Sequence, residues 1–284
     1  MNDEPGFSRA VHMAPAEAGW GNKGTADANL QVRSTDEFAI RQFHGKSTLA
    51  ASAATPNSMH GILLIPFKSL ATAKQRLAPA LNAQQRSQFA EAMLGDVMAA
   101  ASEVRNRIDV ALVTGDPRAQ AMAREFNFLV IEDTRNESET AAIEMATAWC
   151  ESAAADGYDT SIVVPADIPL IRGDELHRVL DAAPEEGMVI VPAYDRRGSN
   201  CILRRPPSII PLRFGNDSFV PHCEAMRRTG NELIVLEMPG IGLDVDNPHE
   251  LELLVQSEGN THAQRLLRSW GFGGHELGAW EAAG

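Results

Sequence analysis

The 284 residues are 44% hydrophobic and 22% charged, the balance of one ordinary globular domain with some unstructured extension. A net charge of −13 argues against nucleic acid or an anionic membrane as partner, and no apolar run approaches the ~20 residues that cross a bilayer. Three widely spaced cysteines, Cys150, Cys201 and Cys223, argue against a disulfide framework or zinc knuckle and for a reducing cytoplasm.

Residues 1–60 are dominated by Ala, Gly, Ser, Thr and Asn and sustain neither a strand nor a helix period, so they read as a disordered leader. The acidic N-terminus lacks the apolar core of a secretory signal, and Met59, directly before the first good strand, stands as a candidate translation start. His44-Gly45-Lys46-Ser47-Thr48 resembles the end of a phosphate-binding loop. The glycine that motif requires five residues before Gly45 is Ile40, and the resemblance is set aside.

Order is expected from a buried strand at Ile62–Pro66, followed by a loop, Phe67–Leu77, with three cations (Lys68, Lys74, Arg76) and no acid. Asn82 with Gln85 forms a capping box for a helix whose Phe89, Met93 and Val97 share one face. A strand at Ile108–Val113 ends in Thr114-Gly115-Asp116-Pro117. A helix to about Asn127, a short strand at Phe128–Ile131 and a helix from Asn136 to Ala155 follow. Ile162–Asp167 reads as a fourth strand, apolar enough to be buried on both faces. A helix runs from Gly173 to Ala183 and a strand from Met188 to Pro192, after which the alternation breaks. A polar loop (Tyr194–Asn200) leads to a short strand, Cys201–Leu203. A turn at Arg213–Phe219 enters a helix, and Leu233–Leu236 is a further strand. Asn247, Pro248 and Glu250 give a strong start signal for the last clear helix. Beyond Ser257 the chain is Gly-rich, with Leu266, Leu267 and Trp270 as a docking helix. No internal repeat is seen. The organisation is a leader (1–60), one α/β domain (61–257) and a tail (258–284), the domain being three layers around a mostly parallel sheet.

Asp167 lies just past a central strand, where open α/β sheets bind ligands, and Pro169 keeps the turn stiff. Asp244 and Asp246, two apart on an extended segment, present both carboxylates on one side. With Asp167 they make an all-oxygen set suited to magnesium bridging phosphates. Taken singly, each is also an ordinary loop acid, and the cations of 68–76 an ordinary charged loop. A cationic loop after strand one combined with acids after later strands is the specific signal.

Pro66-Phe67-Lys68 with Ala73-Lys74-Gln75-Arg76-Leu77, Pro165–Leu170, Gly198-Ser199-Asn200, Arg213–Phe219 and Leu243–Pro248 stand in one order over nearly 200 residues. In this the chain resembles the CofC/FbiD-type guanylyltransferases of deazaflavin coenzyme F-420 biosynthesis, relatives of the MobA-like nucleotidyltransferases. The resemblance implies a Rossmann-like nucleotidyltransferase fold that joins GTP to a small phosphorylated acid (phosphoenolpyruvate, 2-phospho-L-lactate or 3-phospho-D-glycerate) and releases pyrophosphate. By motif, Asp167, Asp244 and Asp246 would hold Mg2+, and Lys68, Lys74 and Asp167 would act catalytically. Pro66, Lys68, Lys74, Arg76, Thr114 and Pro165 would bind the nucleotide. Ser199, Asn200, Gly215 and Ser218 would bind the acid. Two departures stand out: Ser138-Glu139-Thr140 replaces a Gly-Leu-Asn turn near the base and ribose, and Ser199 replaces a Thr. A cytoplasmic enzyme is expected. A homodimer is compatible with the sequence, and the pathway logic suggests a transient hand-off of product to the next transferase. A MobA-like or sugar-phosphate nucleotidyltransferase, and an inactive nucleotide-binding regulator, are the alternatives.

Overall fold

A computed structural model describes residues 59–135, 137–152, 157–215 and 217–273. The expected leader up to residue 58, with the His44–Thr48 stretch, and the end of the tail lie outside these. The first half holds β1 (Gly61–Pro66), α1 (Ala83–Ser102), β2 (Asp109–Val113), α2 (Pro117–Glu125), β3 (Leu129–Ile131), α3 (Glu139–Ser152) and β4 (Thr160–Val163). The second holds α4 (Gly173–Asp181), β5 (Gly187–Pro192), β6 (Ser199–Arg205), α5 (Phe219–Thr229), β7 (Glu232–Val235), α6 (Pro239–Gly242), α7 (Pro248–Gln256) and α8 (His262–Ser269). The strands form one sheet in the order β3-β2-β1-β4-β6-β5-β7. Its pairings are parallel except those β6 makes with β4 and β5.

The central strands are apolar on both faces because both faces are covered. Leu63 and Ile65 of β1 pack with Leu94 and Val97 of α1 and Val179 of α4. Ile62 and Leu64, one residue out of phase, pack with Ile143 of α3 and Met226 of α5. That period-2 division makes the three layers, each fully buried Leu or Ile contributing about 1.5–3 kcal/mol.

Boundaries shift where context outweighs local pattern. The strand read to Asp167 ends at Val163, although Val164 N–H still donates to Leu64 O. β6 starts at Ser199, so Ser199 and Asn200 sit in the sheet rather than in a polar loop. Ser199 pairs with Pro192 and Cys201 with Val191 of β5, and that ladder, not apolar alternation, makes these first residues strand. The helix read from Asn136 to Ala155 is observed as Glu139–Ser152, both expected ends lying outside the described residues. The Asn82 and Asn247 caps form as read, each a complete capping box. The docking helix is α8, with Ala263 and Leu267 fully buried in a cluster shared with α1 and α7. The Asp96 carboxylate accepts its first amides, from His262 N at 2.7 Å and Ala263 N at 2.8 Å. Among the described residues no helix is long and apolar enough to cross a membrane.

Candidate active site

Three segments far apart in sequence meet beyond the carboxyl ends of β1 and β4. Val245 N–H donates to Asp167 O at 3.0 Å, which stitches the 243–246 segment to the turn after β4. Glu175, completely buried, reinforces this: its carboxylate accepts from Gly240 N (2.8 Å) and Arg172 N (3.2 Å), tying α6 to the start of α4. Gly240 is required there, because a Cβ would lie 2.4 Å from Leu170 O and 2.2 Å from the Glu175 carboxylate.

Into the junction reaches Lys74, from the loop after β1. Its Nζ donates to Asp167 Oδ2 and to Asp246 Oδ1, both at 2.7 Å, and its side chain is only 10% exposed. Its backbone is left-handed, φ 53°, a conformation that costs a non-glycine residue of order 1 kcal/mol and is retained where surroundings enforce it. Arg76 Nη1 lies 3.7 Å from Asp246 Oδ2. Burial opposes the Lys74 charge, but Asp167 and then Asp246 outweigh it and hold the ammonium above the ordinary lysine value. Burial likewise opposes ionisation of Asp246, and Lys74 and Arg76 overcome it, holding that carboxyl below its ordinary value.

Two cavities open on either side of this junction. One, of about 240 Å³, is bounded by the loop after β1, with Pro66, Lys68 and Lys74 in its wall. The other, of about 540 Å³, is bounded by β6, the 213–218 turn and the start of α7, with Arg76, Ser199, Asn200, Gly215, Ser218 and Asp244 in its wall. Glu139, Pro165, Asp167 and Asp246 line both. The expected site residues are thus brought together, with one exception. Thr114 is fully buried and lines neither cavity; its hydroxyl accepts from Asp116 N at 3.0 Å within the turn after β2. Lys68 donates to Glu137 O at 2.9 Å, bridging the first loop to the approach of α3.

The wall of the second cavity is a polar network. Asn200 Nδ2 donates to Ile241 O at 2.9 Å and to Asp244 Oδ1 at 3.0 Å, so Asn200 orients a carboxylate as well as lining the cavity. Ser199 Oγ lies 3.0 Å from His222 Nδ1 and 3.2 Å from Ser218 Oγ. Arg213 N–H donates to His222 Nε2 at 2.9 Å, and Phe214 N–H donates to Thr140 Oγ1 at 3.0 Å. Gly215 has φ +132° with no atom within 4 Å of where a Cβ would stand, so backbone conformation rather than crowding calls for glycine.

Three contributors escaped the sequence reading. His222 sits four residues after Ser218, a spacing that puts both on one helix face, but a lone histidine in a helix gave no other signal. Glu175 resembled an ordinary first-turn acid. Glu139 stands within the Ser138–Thr140 departure and faces both cavities; burial, then the nearby Asp167 charge, pushes its carboxyl up to about 8. Asp244 is pushed up to about 6 by burial and Asp167. Thr140, which stands where the family has an Asn, anchors Phe214 through its hydroxyl.

The donor set suits a magnesium ion chemically: hard carboxylate oxygens converge on a point already holding one compact cation, the Lys74 ammonium. Among the described residues no three acidic, His or Cys side chains are gathered tightly enough to hold a metal by themselves. Magnesium characteristically takes one or two carboxylates and completes its shell with phosphates and water.

Residues 61–276 match the protein-family model described as guanylyl transferase CofC like. A phosphoenolpyruvate guanylyltransferase of Roseiflexus castenholzii is 36% identical over 207 residues, covering 73% of this chain and 93% of its own. A 2-phospho-L-lactate guanylyltransferase of Methanothermobacter thermautotrophicus is 32% identical over 210 residues, covering 74% and 90%. A crystal structure from Desulfovibrio desulfuricans, described as a nucleotide-diphospho-sugar transferase, superposes with a TM-score of 0.60 at 20% identity, over 74% of this chain and 95% of that one. At that identity the likeness concerns the fold, a nucleotidyltransferase fold.

Proposed function

The chain belongs to the CofC-like guanylyl transferase family, and from that premise we propose that it transfers GMP from GTP to a small phosphorylated carboxylic acid, with release of pyrophosphate. The observation that carries the reading is the Lys74 ammonium held in the wall of the first cavity between Asp167 and Asp246, which line both cavities. One cavity would take the nucleotide and the other the acid, so that the reacting atoms meet where the charges are fixed.

The acid's phosphate oxygen attacks the α-phosphorus of GTP; the bond from that phosphorus to the bridging oxygen breaks, and pyrophosphate leaves with the electron pair. The attacking phosphate is an anion near neutral pH, so no general base is needed. Repulsion between two polyanions and charge on the leaving group are the obstacles, and fixed cations in a partly closed site reduce both. Lys68 and Lys74 would lie along the nucleotide's phosphates, Arg76 would face the acid's side, and Ser199, Ser218 and the Gly215 backbone would receive the acid's anionic groups. Helix α5 begins beside them and supplies a favourable dipole. Asp167, Asp244 and Asp246 would hold magnesium, whose chemistry here is neutralisation and orientation of phosphate oxygens.

Phosphoenolpyruvate and 2-phospho-L-lactate are the acids named in two relatives. Phosphoenolpyruvate is placed first, with 3-phospho-D-glycerate as the third candidate, and the product would serve coenzyme F-420 biosynthesis in the cytoplasm. The test is to incubate the protein with GTP, magnesium and each acid and follow pyrophosphate release. Turnover with one acid is expected. Silence with all three, or a preference for CTP or UTP, overturns the reading.

A further inference from the structure

We infer that the His222 imidazole, locked in one tautomer, turns the Ser199–Ser218 hydroxyl pair into a hydrogen-bond donor facing the second cavity, and is thereby a positioning residue for the anionic group bound there. This rests on the reading of that cavity as the site of the phosphorylated acid.

The partners of each ring nitrogen fix where the protons sit. The Arg213 N–H can only donate, and it does so to His222 Nε2 at 2.9 Å, so Nε2 bears no hydrogen and the neutral ring carries its proton on Nδ1. Nδ1–H therefore donates to Ser199 Oγ at 3.0 Å. The two serine hydroxyls, 3.2 Å apart, share one of their two protons whichever of them donates. The other is left to point into the cavity that both residues line.

Were the ring proton on Nε2, Ser199 would have to donate to Nδ1 and Ser218 to Ser199. Both protons would then be consumed, and only lone pairs would face the ligand, repelling a phosphate or carboxylate. The choice of tautomer decides whether this wall attracts or repels an anion. His222 is 1% exposed, Ser199 4% and Ser218 6%, so bulk water cannot readily rescue a wrong arrangement. Burial, with Arg204 and Arg213 adding, lowers the ring to about 4, which keeps it neutral near pH 7. None of the family motifs in the sequence contains His222; it enters only through the fold.

Two measurements test this. Long-range 1H–15N NMR on 15N-histidine-labelled protein, with the resonance assigned by its loss in His222→Phe, should show the neutral Nδ1–H tautomer at pH 7. An Nε2–H ring or an imidazolium overturns the inference. In steady-state kinetics, His222→Phe should raise KM for the phosphorylated acid about 10- to 100-fold, the loss expected for hydrogen bonds to a charged group, with KM for GTP within twofold. His222→Asn, whose amide can still donate where Nδ1 stood, should recover most of that loss. A His222→Phe protein with native circular dichroism and unchanged KM for the acid overturns the inference, as does a parallel rise in both KM values or no recovery by Asn. Absence of turnover in the native protein counts against the function reading instead, and the NMR result then decides the inference by itself.

Discussion

A single ammonium group, that of Lys74, is held between two carboxylates, and its surroundings tell what its removal should do. Lys74→Ala would leave Asp167 and Asp246 facing each other without a cation between them and remove a charge from the phosphate path. The expected outcome is a fall in kcat/KM of about 10²-fold, on the order of 3 kcal/mol by comparison with other charge-stabilising groups, read by pyrophosphate release. A variant retaining native kcat/KM would place the reaction elsewhere. His222 makes a second prediction, on stability. Its pKa is lowered from 6.5 to about 4 on folding, so between those values the unfolded chain binds more protons. Stability from this group is complete above about pH 6.5 and is lost as pH falls toward 4, by about 3 kcal/mol at most. The denaturation midpoint of the native protein should therefore fall more between pH 6.5 and 4.5 than that of His222→Phe. Equal slopes would refute the linkage. Lys74 and Asp167 were legible as candidate site residues from type and position, whereas His222 and Glu139 were not, because their placement at the cavities depends on what folds against them.

At the scale of elements, the site is a matter of loops held by neighbours. The turn after β4 and the segment after α6 are fixed by one backbone bond, Val245 to Asp167, and by the buried Glu175 carboxylate that receives Gly240 and Arg172 amides. Glu175→Ala would leave two amides without acceptors, costing on the order of 2–3 kcal/mol, and would loosen the segment carrying Asp244 and Asp246. Both a lower melting temperature and a lower kcat are expected; a loss of stability with unchanged kcat would show the segment to be held by other means. Helix starts such as Asn82 and Asn247 were readable because a capping box is local chemistry. The length of β6 was not, since its first residue, Ser199, is strand only by virtue of its pairing with Pro192 of β5.

Across the whole molecule, the family match begins at residue 61 and β1 at Gly61, which gives the last prediction. Protein lacking residues 1–58 should fold and, with GTP and the acid, turn over at the native rate. Aggregation or inactivity of the shortened protein would make that segment part of the domain. Apolar runs and caps were enough, from sequence alone, to determine an α/β architecture and its element order, since each is a local or periodic property of the chain; the nucleotidyltransferase reading came from the resemblance carried by the ordered motifs. The tertiary structure alone decided that Lys74 stands between Asp167 and Asp246, that Thr114 lines neither cavity, and that His222 stands beside Ser199. Those facts are distances between segments dozens to nearly two hundred residues apart, and packing, not local pattern, sets them.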